Sequence, residues 1–175
     1  MTELFMRIDT QERYELPEAV KQDLSAIFPA GSYEAILDRI YLFTAKDADD
    51  DPYSGFYDSA QDRLYLNSEL LERSSEYLAL IVAHETMHYY QRKVLGRHFS
   101  VFGEKDYIPE VGKNPYGNEE EAVIVMLCVR ALKHPDYPVF SVSLAGAQTA
   151  SASREELESC YVPYLEGLGL RLSLF

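Results

Sequence analysis

Apolar residues recur at helical spacing after Pro17, where Val20, Leu24, Ile27 and Phe28 share one face until Pro29 and Gly31 stop the pattern. A short second helix over 33–39 leads into Ile40-Tyr41-Leu42-Phe43-Thr44, whose aromatic and branched residues suit a buried strand. Gly55-Phe56-Tyr57 and Leu64-Tyr65-Leu66-Asn67 flank the turn-rich Asp58-Ser59-Ala60-Gln61-Asp62, which predicts a hairpin. Asn67 and Ser68 can cap a short helical piece, and a long helix follows from about Ser75 to Leu95, closed by Gly96. Within it Tyr77, Leu78, Leu80, Ile81 and Val82 cover nearly the whole circumference, the pattern of a central, buried helix. Residues 97–117, with three glycines and two prolines, form a long irregular connection. A second apolar helix starts at Asn118, runs through Ala122 to Val129 and ends at His134-Pro135. A final helix begins at Ser153, with Glu156 completing a capping box, and bends or ends near Pro163.

The chain of 175 residues is 47% hydrophobic and 26% charged, with no apolar run near the roughly 18 residues of a membrane span. It reads as one domain over 1–175: helices plus rim strands to about 67, two long helices over 68–134, and a C-terminal helical part over 135–175. A core of this size stands without staples, so a metal would serve chemistry and not folding. With 29 acidic against 16 basic residues the net charge is -13, a field that repels phosphate backbones and anionic lipid and argues against nucleic-acid or membrane partners. Asp47, Asp49, Asp50 and Asp51 read as a solvated loop. Cys128 and Cys160 both sit in helix-like apolar surroundings and read as small buried hydrophobes. Met1 to Glu12 lacks the basic start and apolar centre of a signal peptide, so a cytoplasmic location is expected, with signal-independent export open.

The chemistry lies in His84-Glu85-Thr86-Met87-His88, an H-E-x-x-H pattern on the central helix. Four residues turn about 40° past one full helical turn and rise about 6 Å, so both imidazoles leave one face and can converge on one ion. Glu85 points about 100° round from His84, beside such an ion and not onto it, as a general base must. A di-iron site would need a second Glu-x-x-His; His98 and His134 follow Leu95 and Ala131 instead. The remaining alternative is a pair of core histidines satisfied by backbone or carboxylate partners.

A catalytic zinc takes three protein ligands and keeps the fourth position for water. Positions 91 and 94 are Gln and Val, so no third His follows at the metzincin spacing. A carboxylate is the alternative, and Glu119, Glu120 and Glu121 open the other buried helix. On these residues the chain resembles the gluzincin zinc metallopeptidases, the thermolysin-like group, whose third ligand is a Glu on a downstream helix. In that group a small residue typically follows three positions later and an Asp four later. The resemblance spans 75–122 with the connection unaligned, and it implies an α+β, zincin-like fold. Such a fold packs a small mixed or antiparallel sheet on a central active-site helix and a second buried, ligand-bearing helix. Matching Ala122 to the small residue selects Glu119 as the third ligand, with Asn118 as the Asn often found before it. Glu120 and Glu121 then project about 100° and 200° away and read as solvent-facing or as partners of the helix N-terminus. Upstream, Leu64 to Asn67 resembles the strand on the upper rim of zincin clefts. The chain departs from the family at Val123, where an Asp is expected; a ligating imidazole then needs another partner, Glu110 or a backbone carbonyl.

For transition-state stabilisation the family often uses a Tyr or His near the cleft, and Tyr107, Tyr116, His98 and His134 are eligible. Tyr107 and His98 rank first because they lie on the connection between the ligand-bearing helices. The resemblance therefore implies zinc-dependent hydrolysis of a peptide or protein substrate, with zinc held by His84, His88 and Glu119 and with Glu85 as general base. Two other readings stay open. One is a zincin-like module that binds peptide or protein with little turnover, for which Val123 argues; the other is a metal-free helical interaction domain.

Overall fold

The computed structural model describes residues 12–43, 55–97, 116–143 and 149–172. Helix α1 (Glu18–Ser25) starts behind Pro17 and turns Val20 and Leu24 inward, and Ile27 and Phe28 continue the same buried face in the following turn. Helix α2 (Glu34–Leu37) is shorter than the pattern predicts and feeds strand β1 (Ile40–Phe43). Strands β2 (Gly55–Asp58) and β3 (Arg63–Asn67) form the expected antiparallel hairpin, and β1 pairs with β3 in parallel, giving the order β1-β3-β2. The strand that resembled a cleft rim is therefore central among the described residues, and β2 is an edge. Leu64, Tyr65 and Leu66 are consecutive and all buried, which only a strand covered on both faces allows.

The hairpin turn is built by acids. Asp58 Oδ1 accepts hydrogen bonds from the backbone N–H groups of Ala60 (2.9 Å) and Gln61 (3.3 Å), and Asp62 adopts a left-handed backbone with φ 54°. The Asp62 carboxylate accepts from the Tyr57 hydroxyl at 2.5 Å and pairs with Arg92 at 3.0 Å and Lys93 at 2.6 Å, pinning the turn to the end of the central helix. Burial works against its charge, but the hydrogen bonds from Lys93 and Tyr57 and the nearby cations hold its carboxyl below the usual range. A depressed carboxylate stabilises the fold above the unfolded pKa of about 4, and the contribution is lost as pH falls through the folded value. Asn tolerates the same backbone. Asp62→Asn is thus expected to cost about 1 kcal/mol at pH 7, with a gap from the parent that closes in thermal melts below about pH 4.

Helix α3 (Ser75–Lys93) is capped by the Ser74 hydroxyl, which accepts from Tyr77 N–H at 3.2 Å, and is preceded by a 3₁₀ turn (Ser68–Glu72) capped by Asn67. Every residue from Leu78 to His88 is buried, as the all-round apolar pattern requires. Helix α4 (Asn118–Lys133) packs along it and is buried from Ile124 to Val129. Charged residues join the two helices at the end remote from the motif: Glu76 accepts from His134 Nε2 at 2.7 Å and pairs with Arg130 at 3.3 Å.

The C-terminal part is not purely helical. Strands β4 (Val139–Ser143) and β5 (Thr149–Ser153) form an antiparallel pair that packs against α4. Phe140, Val142 and Ala152 face inward, but Ala-Ser alternation in β5 carries almost no strand propensity, so the pair leaves little trace in the pattern. The final helix does begin at the Ser153–Glu156 capping box, as α5 (Arg154–Glu156), then widens to a π-helical stretch (Leu157–Tyr161) before α6 (Val162–Gly167). The wide turn lies just ahead of Pro163, which has no N–H for a normal helical bond. Cys128 is buried as expected, and burial pushes its thiol up to about 12. Cys160, on the outer side of the π-helical stretch, is exposed instead. The described architecture is α+β, and none of its helices is long and apolar enough to cross a membrane.

Candidate metal centre

Helical spacing in α3 and the first turn of α4 bring His84, His88 and Glu119 together, each offering one ligand atom, with all three atoms within 4.8 Å of one another. His84 Nε2 lies 3.1 Å from Glu119 Oε1 and His88 Nε2 lies 3.2 Å from Glu119 Oε2. Ligand atoms about 2.0–2.2 Å from a zinc in a tetrahedron lie about 3.3 Å apart; each gap is of that size, and the two imidazoles meet different oxygens of the Glu119 carboxylate. Two imidazole nitrogens and a carboxylate oxygen are also a donor set suited to zinc. His88 is fully buried and His84 is 6% exposed, whereas the Glu119 side chain keeps 39% exposure and opens the cluster to solvent. Glu85 Oε1 stands 3.9 Å from His84 Nε2, adjacent to the cluster and outside the ligand set.

The cluster is electrostatically coupled. Burial is the largest influence on His88 and disfavours its imidazolium, yet the hydrogen bond to Glu119 and the charges of Glu85 and Glu119 leave its pKa raised. Burial likewise works against the Glu119 carboxylate, but the hydrogen bonds and charges of His84 and His88 hold it well below the usual carboxylate range.

Behind the cluster both imidazoles are held by their other nitrogens. His84 Nδ1 lies 3.1 Å from Met126 Sδ, and His88 Nδ1 lies 2.8 Å from Gln91 Oε1. Gln91 Nε2 donates to the Asn118 carbonyl at 2.9 Å and to Glu121 Oε1 at 3.0 Å. Those two acceptors settle the amide orientation, so Gln91 presents its oxygen to His88, and Nδ1 of His88 carries the proton. Glu121, fully buried, also receives both terminal nitrogens of Arg97 and the Tyr164 hydroxyl.

The structure thus joins the three expected ligands and places Glu85 beside them, with two corrections. Glu121 is not solvent-facing or a simple N-terminal partner, because Arg97, Gln91 and Tyr164 converge on it in the interior; Glu120 is the exposed one and accepts from Gly117 N–H at 3.3 Å. At Nδ1 the His88 imidazole meets the Gln91 side chain, a partner the sequence reading does not consider, and Glu110 lies outside the described residues. Tyr107 and His98 also lie outside them. His134 closes the far end of α4, fifteen residues from Glu119 and so roughly 22 Å along the helix, too far to serve the cluster. Tyr116 packs edge-on against Tyr161 and Tyr164. Comparisons with protein-family models, with curated proteins and with solved structures find no match.

Proposed function

We propose that the chain is a zinc-dependent peptidase with a zincin-like arrangement, in which His84, His88 and Glu119 hold the ion and Glu85 is the general base. The observation that carries this reading is the Glu119 carboxylate bridging both Nε2 atoms at 3.1 and 3.2 Å while Glu85 stays outside the ligand set. When bound, zinc supplies Lewis acidity that lowers the pKa of water toward about 7 and polarises a peptide carbonyl. The chain's own residues do the rest. Nδ1–H of His88, donated to Gln91, leaves Nε2 free of a proton for a metal. Glu85 takes the proton of the attacking water on a carboxylate oxygen and delivers it to the departing amine.

One observation favours a second reading, a metal-free domain whose ion-paired cluster is structural: the contacts of Glu119 to the imidazoles are also hydrogen-bond distances. Metal analysis separates the two. Purified protein is expected to bind about one zinc per chain, and His84→Ala, His88→Ala and Glu119→Ala each to remove most of it. Full zinc retention by Glu119→Ala would move the third ligand elsewhere; no zinc on the parent would leave the metal-free reading. Because the core from Leu78 to Val82 and from Ile124 to Val129 is apolar and continuous, the chelated protein is expected to keep its helical circular dichroism. A coil spectrum after chelation would make the site structural.

A further inference from the structure

We propose that Gln91 is a positioning residue for the metal centre: its amide fixes the His88 ring and tautomer and relays to it the acceptor charge of the buried Glu121. The inference rests on reading the cluster as a zinc site. Gln91 follows His88 by three residues on α3, so its amide reaches the nitrogen of His88 that faces away from Glu119. With both amide protons given to Asn118 and Glu121, the Gln91 oxygen is left as a pure acceptor aimed at Nδ1–H. The carboxylate behind it strengthens that acceptor by polarising the amide. Glu121 in turn is fixed by Arg97, from the end of the α3 segment, and by Tyr164, from α6. Three parts of the fold, α3 with the turn that follows it, α4 and α6, therefore converge on the orientation of one imidazole. The relay performs from position 121, through an amide, the task that Val123 cannot perform directly.

The two histidines are held unequally. His84 gives its Nδ1 to the Met126 thioether, a weak acceptor, in an otherwise apolar stretch of α4. Loss of Gln91 is therefore expected to cost more zinc affinity than loss of the sulfur.

Zinc affinity is measured by competition with a chromophoric chelator for the full chain and its Gln91→Met and Met126→Leu variants, together with thermal melts of the chelated proteins. Gln91→Met keeps the volume and removes the amide. It is expected to weaken zinc binding about 10- to 100-fold, and Met126→Leu by a smaller factor. A purely structural brace between α3 and α4 predicts the opposite split, a lower melting temperature with zinc affinity unchanged, and that outcome overturns the proposal. Should Gln91→Met fail to fold, the parent supplies the second readout. In the zinc-loaded protein, nuclear magnetic resonance is expected to show a slowly exchanging Nδ1–H proton on His88 and a faster one on His84. An Nδ1 proton of His88 in rapid exchange, or Nδ1 on the metal, overturns it. Parent protein that binds no zinc defeats the zinc reading itself and this inference with it; zinc bound equally by parent and Gln91→Met defeats this inference alone.

Discussion

Glu85→Gln is expected to keep zinc and fold and to lose about 10²- to 10⁴-fold of peptide hydrolysis. Glutamine matches the carboxylate in shape, so the buried position between His84 and Thr86 is filled without a cavity. What disappears is the capacity to accept a proton. The ligand set survives because Glu85 lies 3.9 Å from His84 Nε2 and supplies none of the three converging atoms. The measurement pairs turnover of a peptide that the parent cleaves with zinc content of the same preparation. Equal turnover by the variant would reject the general-base mechanism even with zinc present. Loss of zinc would make Glu85 a ligand and shift the assigned face of α3. Retained zinc with no turnover in either protein would favour the peptide-binding module over the enzyme.

The face of α3 could be read from H-E-x-x-H because helix geometry alone converts that spacing into convergence, and Glu119 could be reached because the resemblance supplied a register on α4. Glu121 illustrates the limit. A rotation of about 200° from Glu119 points away from His84 and His88, but whether that direction is solvent or interior depends on what covers it. The cover comes from Arg97 and Tyr164, and Tyr164 is 43 residues distant in the chain, a separation no local pattern reports. Gln91 was closer to legible. An i, i+3 polar residue after His88 on an otherwise buried helix needs a partner, yet position 91 falls on the Gly of the metzincin pattern and not on a ligand, so the motif draws no notice to it. The β4–β5 pair leaves little trace for a different reason: Thr149-Ala150-Ser151-Ala152-Ser153 is small and weakly apolar, and the strand signal opposite it is confined to Val139, Phe140 and Val142.

The second large effect is expected at Arg97, whose side chain is 7% exposed beside the fully buried Glu121. Arg97→Met keeps the aliphatic stem and removes the guanidinium, leaving a carboxylate in the interior whose remaining side-chain donors, among the described residues, are Gln91 and Tyr164. Removing one partner of a buried ion pair costs about 3–5 kcal/mol, and the two surviving donors place this case at the lower end. At about 3 kcal/mol, a chain of this length loses roughly 6–12 °C in melting temperature. The Asn118 side chain loses a donor as well, since Arg97 reaches its Oδ1 at 2.9 Å. If the cost comes from the uncompensated charge and not from lost packing, neutralising that charge must recover part of it. Arg97→Met combined with Glu121→Gln is therefore expected to be more stable than Arg97→Met alone, because an amide at position 121 carries no charge, still accepts from Gln91 through its oxygen and can donate its NH2 to the Tyr164 hydroxyl oxygen. A double-mutant cycle in urea should return a coupling of about 2 kcal/mol or more between positions 97 and 121. Additive losses would mean that the guanidinium acts through its stem and through Asn118, and that Glu121 is held well enough by its other two partners.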